Sequence, residues 1–427
     1  MTRTARPIVA CGAGLAIVLA IVARLDARAE TAMFLGLLCG AAAIYLAALY
    51  LVAHRPPGSS RALAGCLLLA LVWRVALMAG APLVSDDVYR YMWDGRVQRF
   101  GHNPYESAPA DPALAHLHTE STALIDPTSA RLPAIYPPAA QLFFRGVTTL
   151  HESVTMMVTA IVLCDLLTAL VLWRWLISQR RNPWWVLAYA WHPLVALEGA
   201  GGGHIDVVGT LLIVVSAYAL SARRSLVASL ALAVAFSVKF LPVVLIPLLW
   251  DRVRRRDIAI AVGVVILLYL PFSDGLRPPV GSLGVYAEQW RFNGPLFAWI
   301  ELLTGTVGAV VIAVGGGVAV AAVARVRLAR DAPEAWAWPV ATTLFLLPAV
   351  YPWYLVWLTP FLTTRGTWPL AVWCLASLVT YVVWASELGG AGWVLPVWVQ
   401  PLEYGLVVVV GLAGWLLGRR RDPSRVA

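Results

Sequence analysis

Charge is what this sequence lacks most. Of its 427 residues only 13% are Asp, Glu, Lys or Arg, against about 25% in an ordinary soluble domain. With 60% of residues hydrophobic and a mean hydropathy of +0.76, too little polar surface exists to keep a chain of this length in water. Lysine is nearly missing: Lys239 stands alone and every other basic residue is arginine, a composition typical of a high-GC bacterial genome. Cysteine is scarce as well. Cys11, Cys39, Cys66, Cys164 and Cys374 fall inside apolar stretches without metal-ligand spacing, which excludes a disulfide framework or a cysteine metal centre. No internal repeat is visible, so the strongest sequence sign of an inverted-repeat transporter is absent.

The formal charge of +9 does not indicate a nucleic-acid partner, because of where the arginines lie. Arg180 and Arg181, Arg223 and Arg224, Arg252 with Arg254, Arg255 and Arg256, Arg325 with Arg327 and Arg330, and Arg419, Arg420 and Arg421 punctuate the apolar runs at alternate ends. That is the pattern of the positive-inside rule.

What the chain has in abundance is apolar runs near the ~20 residues needed to span a bilayer. Spans are expected at about 7–23, 31–53, 61–81, 152–176, 184–198, 205–221, 258–272, 305–325, 335–349, 352–363, 367–385 and 401–418. The stretch 225–250 has arginines at both ends and Lys239-Phe240-Leu241-Pro242 in its middle, so it reads as a hairpin of two short helices. The expected fold is an all-α polytopic membrane protein, a single transmembrane domain over 1–427 with about 12–14 helices, some short or re-entrant. Both termini are expected in the cytoplasm, and 82–150 forms a partly helical extracytoplasmic segment. The run 7–23 behind Arg3 and Arg6 is expected to be a retained helix rather than a signal peptide, although Ala27-Arg28-Ala29 offers a cleavage-like pattern.

The polar segment opens with Ser85-Asp86-Asp87-Val88-Tyr89-Arg90-Tyr91-Met92-Trp93-Asp94-Gly95-Arg96. Ser85 suits a helix N-cap, and two acids in the first turn suit the helix dipole. In a helix, Asp86, Arg90 and Asp94 follow at i+4 on one face. Adjacent carboxylates beside Arg90 and Arg96, just outside the hydrocarbon, can accept a proton and hold an anion; the plainer alternative is a capped interfacial helix with solvated charges. Tyr89, Tyr91 and Trp93 add rings of the kind that stack on sugars. The motifs at 101–105 and at 134–141, which includes Tyr136, are turn and helix-start signals of a folded loop.

Ionisable groups at membrane depth are functional by default. Arg74, in the outer half of the third span, can reach Asp86 or a lipid phosphate, or can snorkel. His204 and Asp206 begin a helix after the glycine run 199–203, while His192 and Glu198 end the preceding span and are either functional or bonded between helices. Lys239, at the hairpin break, is either a phosphate partner or satisfied by backbone carbonyls. Asp165 reads as a packing or ion-pair residue, and the tryptophans as interface anchors.

The runs SDDVYRYMWDGRVQRFGHNPY, AIYPPAAQ and YAWHPLVALEGAGGGHIDVVG, followed in order by SVKFLPVVLIPLLW and YPWYLVWLTP, resemble bacterial GT-C glycosyltransferases, specifically the mannosyltransferase-like branch that uses polyprenyl-phosphate sugars. The resemblance spans roughly residues 61–365. Two departures stand out: the acidic loop follows the third helix rather than the first, and the glycine-rich motif reads His-Ile-Asp where relatives often carry His-Asn-Asp.

This resemblance implies an inverting transfer, without metal or cofactor, from a polyprenyl-phosphate-linked sugar, mannose by analogy, to a lipid or glycan acceptor. It places the reaction at the outer face of a bacterial cell membrane. Asp86 is implied as the base, with Asp87 competing. Arg90, Arg96, Lys239, His204 and Arg74 are candidates for the donor phosphate; Tyr89, Asp94, Asp206, Tyr136 and Glu198 are candidates for sugar or acceptor. The rival from another class is a transporter or glycolipid flippase, which predicts two repeated halves with paired broken helices.

Overall fold

The structure is a computed structural model. It describes residues 4–55, 58–273, 275 and 279–421, the side chains of 415 and 417–421 excepted. Arg3 and the side chains of Arg419, Arg420 and Arg421, all expected in the cytoplasm, lie outside what is described. Among the described residues the architecture is all-helical, with only isolated bridges linking Phe292 and Asn293 to Ala349.

Three apolar helices come first, α1 (Ala5–Val22), α2 (Thr31–His54) and α3 (Ser60–Met78), with α1 packed on both others. Ser59 caps α3 by accepting the Ala62 N–H at 3.2 Å. The polar segment follows, with α4 (Asp87–Arg99), a single turn α5 (Pro127–Ala130) and α6 (Pro138–Leu150), and then the long apolar α7 (Val154–Ser178). The expected span at 184–198 is broken. A 3-10 turn (Pro183–Val186), α8 (Leu187–Ala190), α9 (Pro193–Ala196) and a π turn (Leu197–Gly201) share that stretch. Each restart has a local cause: Asn182 and His192 accept first-turn N–H groups from Trp184 at 3.1 Å and Leu194 at 3.2 Å. Pro183 and Pro193 have no N–H with which to continue a preceding helix.

Next come α10 (Asp206–Ser221) and α11 (Ser225–Val238). The expected hairpin is present. α11 ends at Lys239, a 3-10 helix (Leu241–Leu249) returns, and the Arg254 N–H donates to Ser225 Oγ at 2.7 Å, joining the two ends. The chain continues through α12 (Arg255–Tyr269), α13 (Leu283–Gln289), α14 (Pro295–Arg327), α15 (Pro333–Phe345) and a 3-10 helix (Pro352–Phe361). It ends with α16 (Trp368–Ala376), a 3-10 link (Ser377–Val382), α17 (Val383–Leu388) and α18 (Val399–Arg421). Gly305, at φ 73°, kinks α14. Among the described residues six stretches are long and apolar enough to cross a membrane: α1, α2, α3, α7, α14 and Arg365–Leu388. α10, α11 and the first part of α18 are apolar but shorter, so the expected 12–14 helices include broken and partial crossings.

Arginines of three of the clusters meet backbone carbonyls at helix ends. Arg181 donates to Thr363 O at 2.7 Å, Arg252 to Arg325 O at 2.7 Å and Leu328 O at 3.1 Å, and Arg325 to Trp250 O at 2.7 Å. Cations there meet the carbonyl ends of helices, which the dipole favours. The polar segment lies elsewhere, tied to the loop before α13 by Ser282 Oγ donating to Pro133 O at 2.5 Å, and to Phe272 O by Asn103 at 3.1 Å.

Arg74 does not face this polar segment. It is buried against Asp165, with Nε on Oδ2 and Nη2 3.2 Å from Oδ1, while Nη1 donates to Ala70 O and Ala190 O at 3.0 and 2.9 Å. The pair ties α3, α7 and α8 together, because a buried cation needs a counter-charge and its hydrogen bonds filled. Removing one partner strands the other charge. Arg74→Met should cost about 3–5 kcal/mol in thermal unfolding of the purified protein, and Arg74→Met with Asp165→Leu should recover most of that loss. Equal destabilisation by the single and double variants would show that the pair is not the source.

Candidate active site

α4 begins at Asp87, one residue later than a Ser85 cap implies; Asp86 takes the N-cap position and Ser85 Oγ accepts the Asp87 N–H at 3.1 Å. Tyr91, Trp93, Asp94 and Val97 of α4 are buried. The helix lies so close to α6 that a Cβ at Gly95 would come within 2.6 Å of Phe144 O. Asp94 is an internal anchor rather than a sugar ligand: it accepts from Arg90 Nε at 2.8 Å and Gln141 Nε2 at 2.9 Å. Arg90 Nη1 donates to Ser129 O at 3.0 Å and Leu132 O at 2.9 Å. The expected i+4 link between Arg90 and Asp94 is formed, and Asp86 is left out of it.

Asp86, Asp87, Arg90 and Tyr136 line a cavity of about 510 Å³. Asp87 accepts from Tyr136 Oη at 3.2 Å, and Tyr136 Oη lies 3.3 Å from Tyr91 Oη. Among the described residues the half-buried Asp86 carboxylate takes no hydrogen bond from any other residue. Burial, then the neighbouring Asp87 charge and more distantly Asp126, push the Asp86 pKa up to about 6, against an opposing pull from Arg28. A carboxylate free of partners and ionising near 6 has the properties of a general base.

The facing wall is aromatic. Phe292, Tyr351, Trp353 and His204 form one continuous stack, with centroid separations of 4.5, 4.4 and 4.4 Å and interplanar angles of 9°, 7° and 10°. Tyr286 and Trp290 stack at 5.2 Å, and Tyr381, Trp384 and Trp393 complete the lining. Behind the rings lies a layer of buried charge. His204 Nδ1 is 3.0 Å from Glu198 Oε2, and Glu198 Oε1 accepts from Tyr381 Oη at 2.6 Å. Asp206 Oδ1 accepts from Lys239 Nζ at 2.7 Å and Trp357 Nε1 at 2.6 Å, and Lys239 Nζ sits 3.8 Å from the Tyr354 ring centroid. His204, Glu198 and Lys239 thus touch the cavity's lining rings without lining it themselves, and Asp206 joins them through Lys239.

Three other expectations fall away from the cavity. Arg96 donates to Leu117 O and Glu152, each at 2.6 Å. Tyr89 packs against the cluster around Trp93, and His192 lies tilted against Tyr45, centroids 4.8 Å apart, while capping α9. Tyr91 stacks on Phe144 and Trp93 on His118, so the rings of the acidic motif are mostly core. Trp290, Trp353, Trp384 and Trp393 line the cavity although the sequence reading treated tryptophans as interface anchors, and nothing in their spacing sets them apart. Arg28 also lines it; its signal was an arginine on the arginine-poor side of the chain. Among the described residues no group of three His, Cys, Asp or Glu side chains is arranged to hold a metal.

An all-helical polytopic chain with an acidic, ring-walled cavity fits the class of integral membrane glycosyltransferases of the GT-C type. Residues 9–252 match the family model MptA_B, described as alpha-(1->6)-mannopyranosyltransferase, N-terminal domain. The match covers more than half of the chain, which belongs to that mannosyltransferase family. No curated protein and no solved structure matches it.

Gly209 makes the charged layer possible: a Cβ there would come within 2.0 Å of Trp357 Cη2, displacing the indole from Asp206. Gly209→Ala should therefore lower stability by about 1–3 kcal/mol through overpacking, read as a fall in the thermal midpoint. An unchanged midpoint would mean that α10 and Trp357 can separate freely.

Proposed function

We propose that this chain is an inverting mannosyltransferase that moves mannose from a polyprenyl-phosphate donor to a lipid or glycan acceptor, with Asp86 as the base. The observation that carries this reading is the Asp86 carboxylate, unpartnered in a cavity whose opposite wall is stacked rings. Asp86 accepts the proton of an acceptor hydroxyl as its oxygen forms a bond to the anomeric carbon. The bond from that carbon to the phosphate oxygen breaks, and its electron pair leaves with the phosphate. A phosphate monoester departs without protonation, so a second acid is not required. A single in-line displacement inverts the centre, giving an α-linked mannoside from a β-linked donor. Asp87, held by Tyr136, acts by raising the basicity of Asp86.

The distribution of charge supports an extracytoplasmic site in a bacterial cell membrane. The arginine clusters mark the cytoplasmic end, and the polar segment that contributes Asp86 to the cavity has its five arginines outnumbered by seven acids. Flat aromatic faces suit the C–H surface of a pyranose and the start of a prenyl chain alike.

Transfer from synthetic polyprenyl-phosphate mannose by the purified protein tests the reading. Asp86→Asn should lower kcat by roughly 10²–10⁴-fold, the range of a lost general base, with the fold and donor binding retained. Undiminished transfer by this variant would remove the mechanism.

The pH profile gives an independent check. A base works only when ionised, so kcat/KM should fall as pH drops through about 6. Asp87→Asn removes a negative neighbour that raises the Asp86 pKa, so the acidic limb should move to lower pH while activity persists. A limb that stays in place or moves upward would assign it to another group.

A further inference from the structure

Leaving-group charge needs a cation that is not already neutralised, and four of the five cationic candidates in the sequence are spent. Arg74 is sealed with Asp165, Arg96 is bonded to Glu152, Lys239 to Asp206, and His204 to Glu198. The fifth, Arg90, lines the cavity with Nη2 unpartnered, but its charge is neutralised by the fully buried Asp94 and its Nη1 is held by two carbonyls. Arg28 differs from all of these. It lines the same cavity as Asp86, is exposed, and through its guanidinium makes no ion pair or hydrogen bond among the described residues. Its guanidinium carbon stands 6.0 Å from the centroid of Trp384, a ring packed in turn on Phe34 and Tyr381.

The loop holds Arg28 in a defined place. Ala27 is buried, Thr31 Oγ1 donates to Arg28 O at 2.7 Å, and the Ala29 N–H donates to Asp26 Oδ1 at 3.1 Å. The loop joins α1 and α2, two of the helices long and apolar enough to cross a membrane, so Arg28 stands at the end of two apolar runs.

We infer that Arg28 binds the phosphate of the lipid-linked donor and receives its charge as the sugar leaves. This rests on the glycosyl-transfer reading above and adds the phosphate subsite. Arg28 on the α1–α2 loop and Asp86 at the start of α4 then serve opposite ends of the displacement, cation at the departing oxygen and carboxylate at the attacking one. The guanidinium lies near the Trp384 ring, 6.0 Å from its centroid, and its N–H groups are free for phosphate oxygens.

The test measures binding of a sugar-free polyprenyl phosphate, and of the matching uncharged polyprenol, to the full chain in detergent. Arg28→Gln should weaken phosphate binding by roughly 10–100-fold, the loss of one or two charge-assisted hydrogen bonds. Polyprenol binding should be unchanged, and Arg28→Lys should recover part of the loss. Equal phosphate binding by wild type and Arg28→Gln would overturn the assignment while leaving the donor reading intact. Equal weakening toward phosphatidylglycerol would also overturn it, making Arg28 a general headgroup contact. A wild type that does not bind polyprenyl phosphate at all would bring down the donor reading, and this subsite with it.

Discussion

The buried carboxylate of Asp94 holds the site in place. In a region packed between α4 and α6, it takes Arg90 on one oxygen and Gln141 on the other, while Gln98 bridges to the Gln141 backbone and side chain at 3.0 Å. Arg90 then carries the constraint outward by gripping the carbonyls of Ser129 and Leu132. A fully buried ion cannot be left short of partners, so the loop at 129–132, α6 and α4 must keep one arrangement. Asp86 stands two turns before Asp94 on the same helix axis, and its position is a consequence of that anchor. Gly95 lets the helices approach closely enough for the network to close.

The same rule of paired burial governs the rest of the interior. Asp165 is answered by Arg74, Glu198 by His204 and Tyr381, Asp206 by Lys239 and Trp357, and Glu403 by Asn293 and Trp373. Each deep acid has a partner because the surroundings cannot solvate it. The cavity reverses this pattern: Asp86 has an acidic neighbour in Asp87 and no hydrogen bond from another residue, and Arg28, although it feels the Asp86 charge, forms no ion pair among the described residues. Charge left unneutralised in a partly water-excluding site is charge available to a reacting molecule.

The sequence was most legible where physics acts locally. Apolar length marked α1, α2, α3, α7 and α14; arginines at both ends of 225–250, with Lys239 and Pro242 between, marked the hairpin; and the Pro137-Pro138 pair marked the start of α6. The acidic helix was legible to within one residue. What could not be read was direction. Arg90, Arg96 and Arg74 are chemically alike in the sequence, yet one lines the cavity, one bonds Glu152 and one is sealed with Asp165. Only tertiary packing separates them. The cavity's rings were missed for a related reason: twenty tryptophans in a membrane chain are expected at interfaces, and residues at 290, 353, 384 and 393 meet only after the chain has folded.

The family match and the cavity divide the chain differently. Residues 9–252 contain both carboxylates of the acidic pair, Arg28, Tyr136 and the charged layer of Glu198, His204, Asp206 and Lys239. Most of the ring wall, including Tyr286, Trp290, Phe292, Tyr351, Trp353 and Trp384, lies beyond that boundary. The two parts are nevertheless joined through direct contacts: His204 stacks on Trp353, Tyr381 donates to Glu198, Trp357 donates to Asp206, and Lys239 sits over Tyr354. Each contact pairs a charged group from the matched region with an aromatic group from outside it. A change of ring identity in the second half therefore acts on the charge layer as well as on the cavity's shape, since Trp353 and Tyr381 both line the cavity and contact the buried pair behind it. The acids and the rings form one cooperative site, although a single stretch of sequence describes only the first.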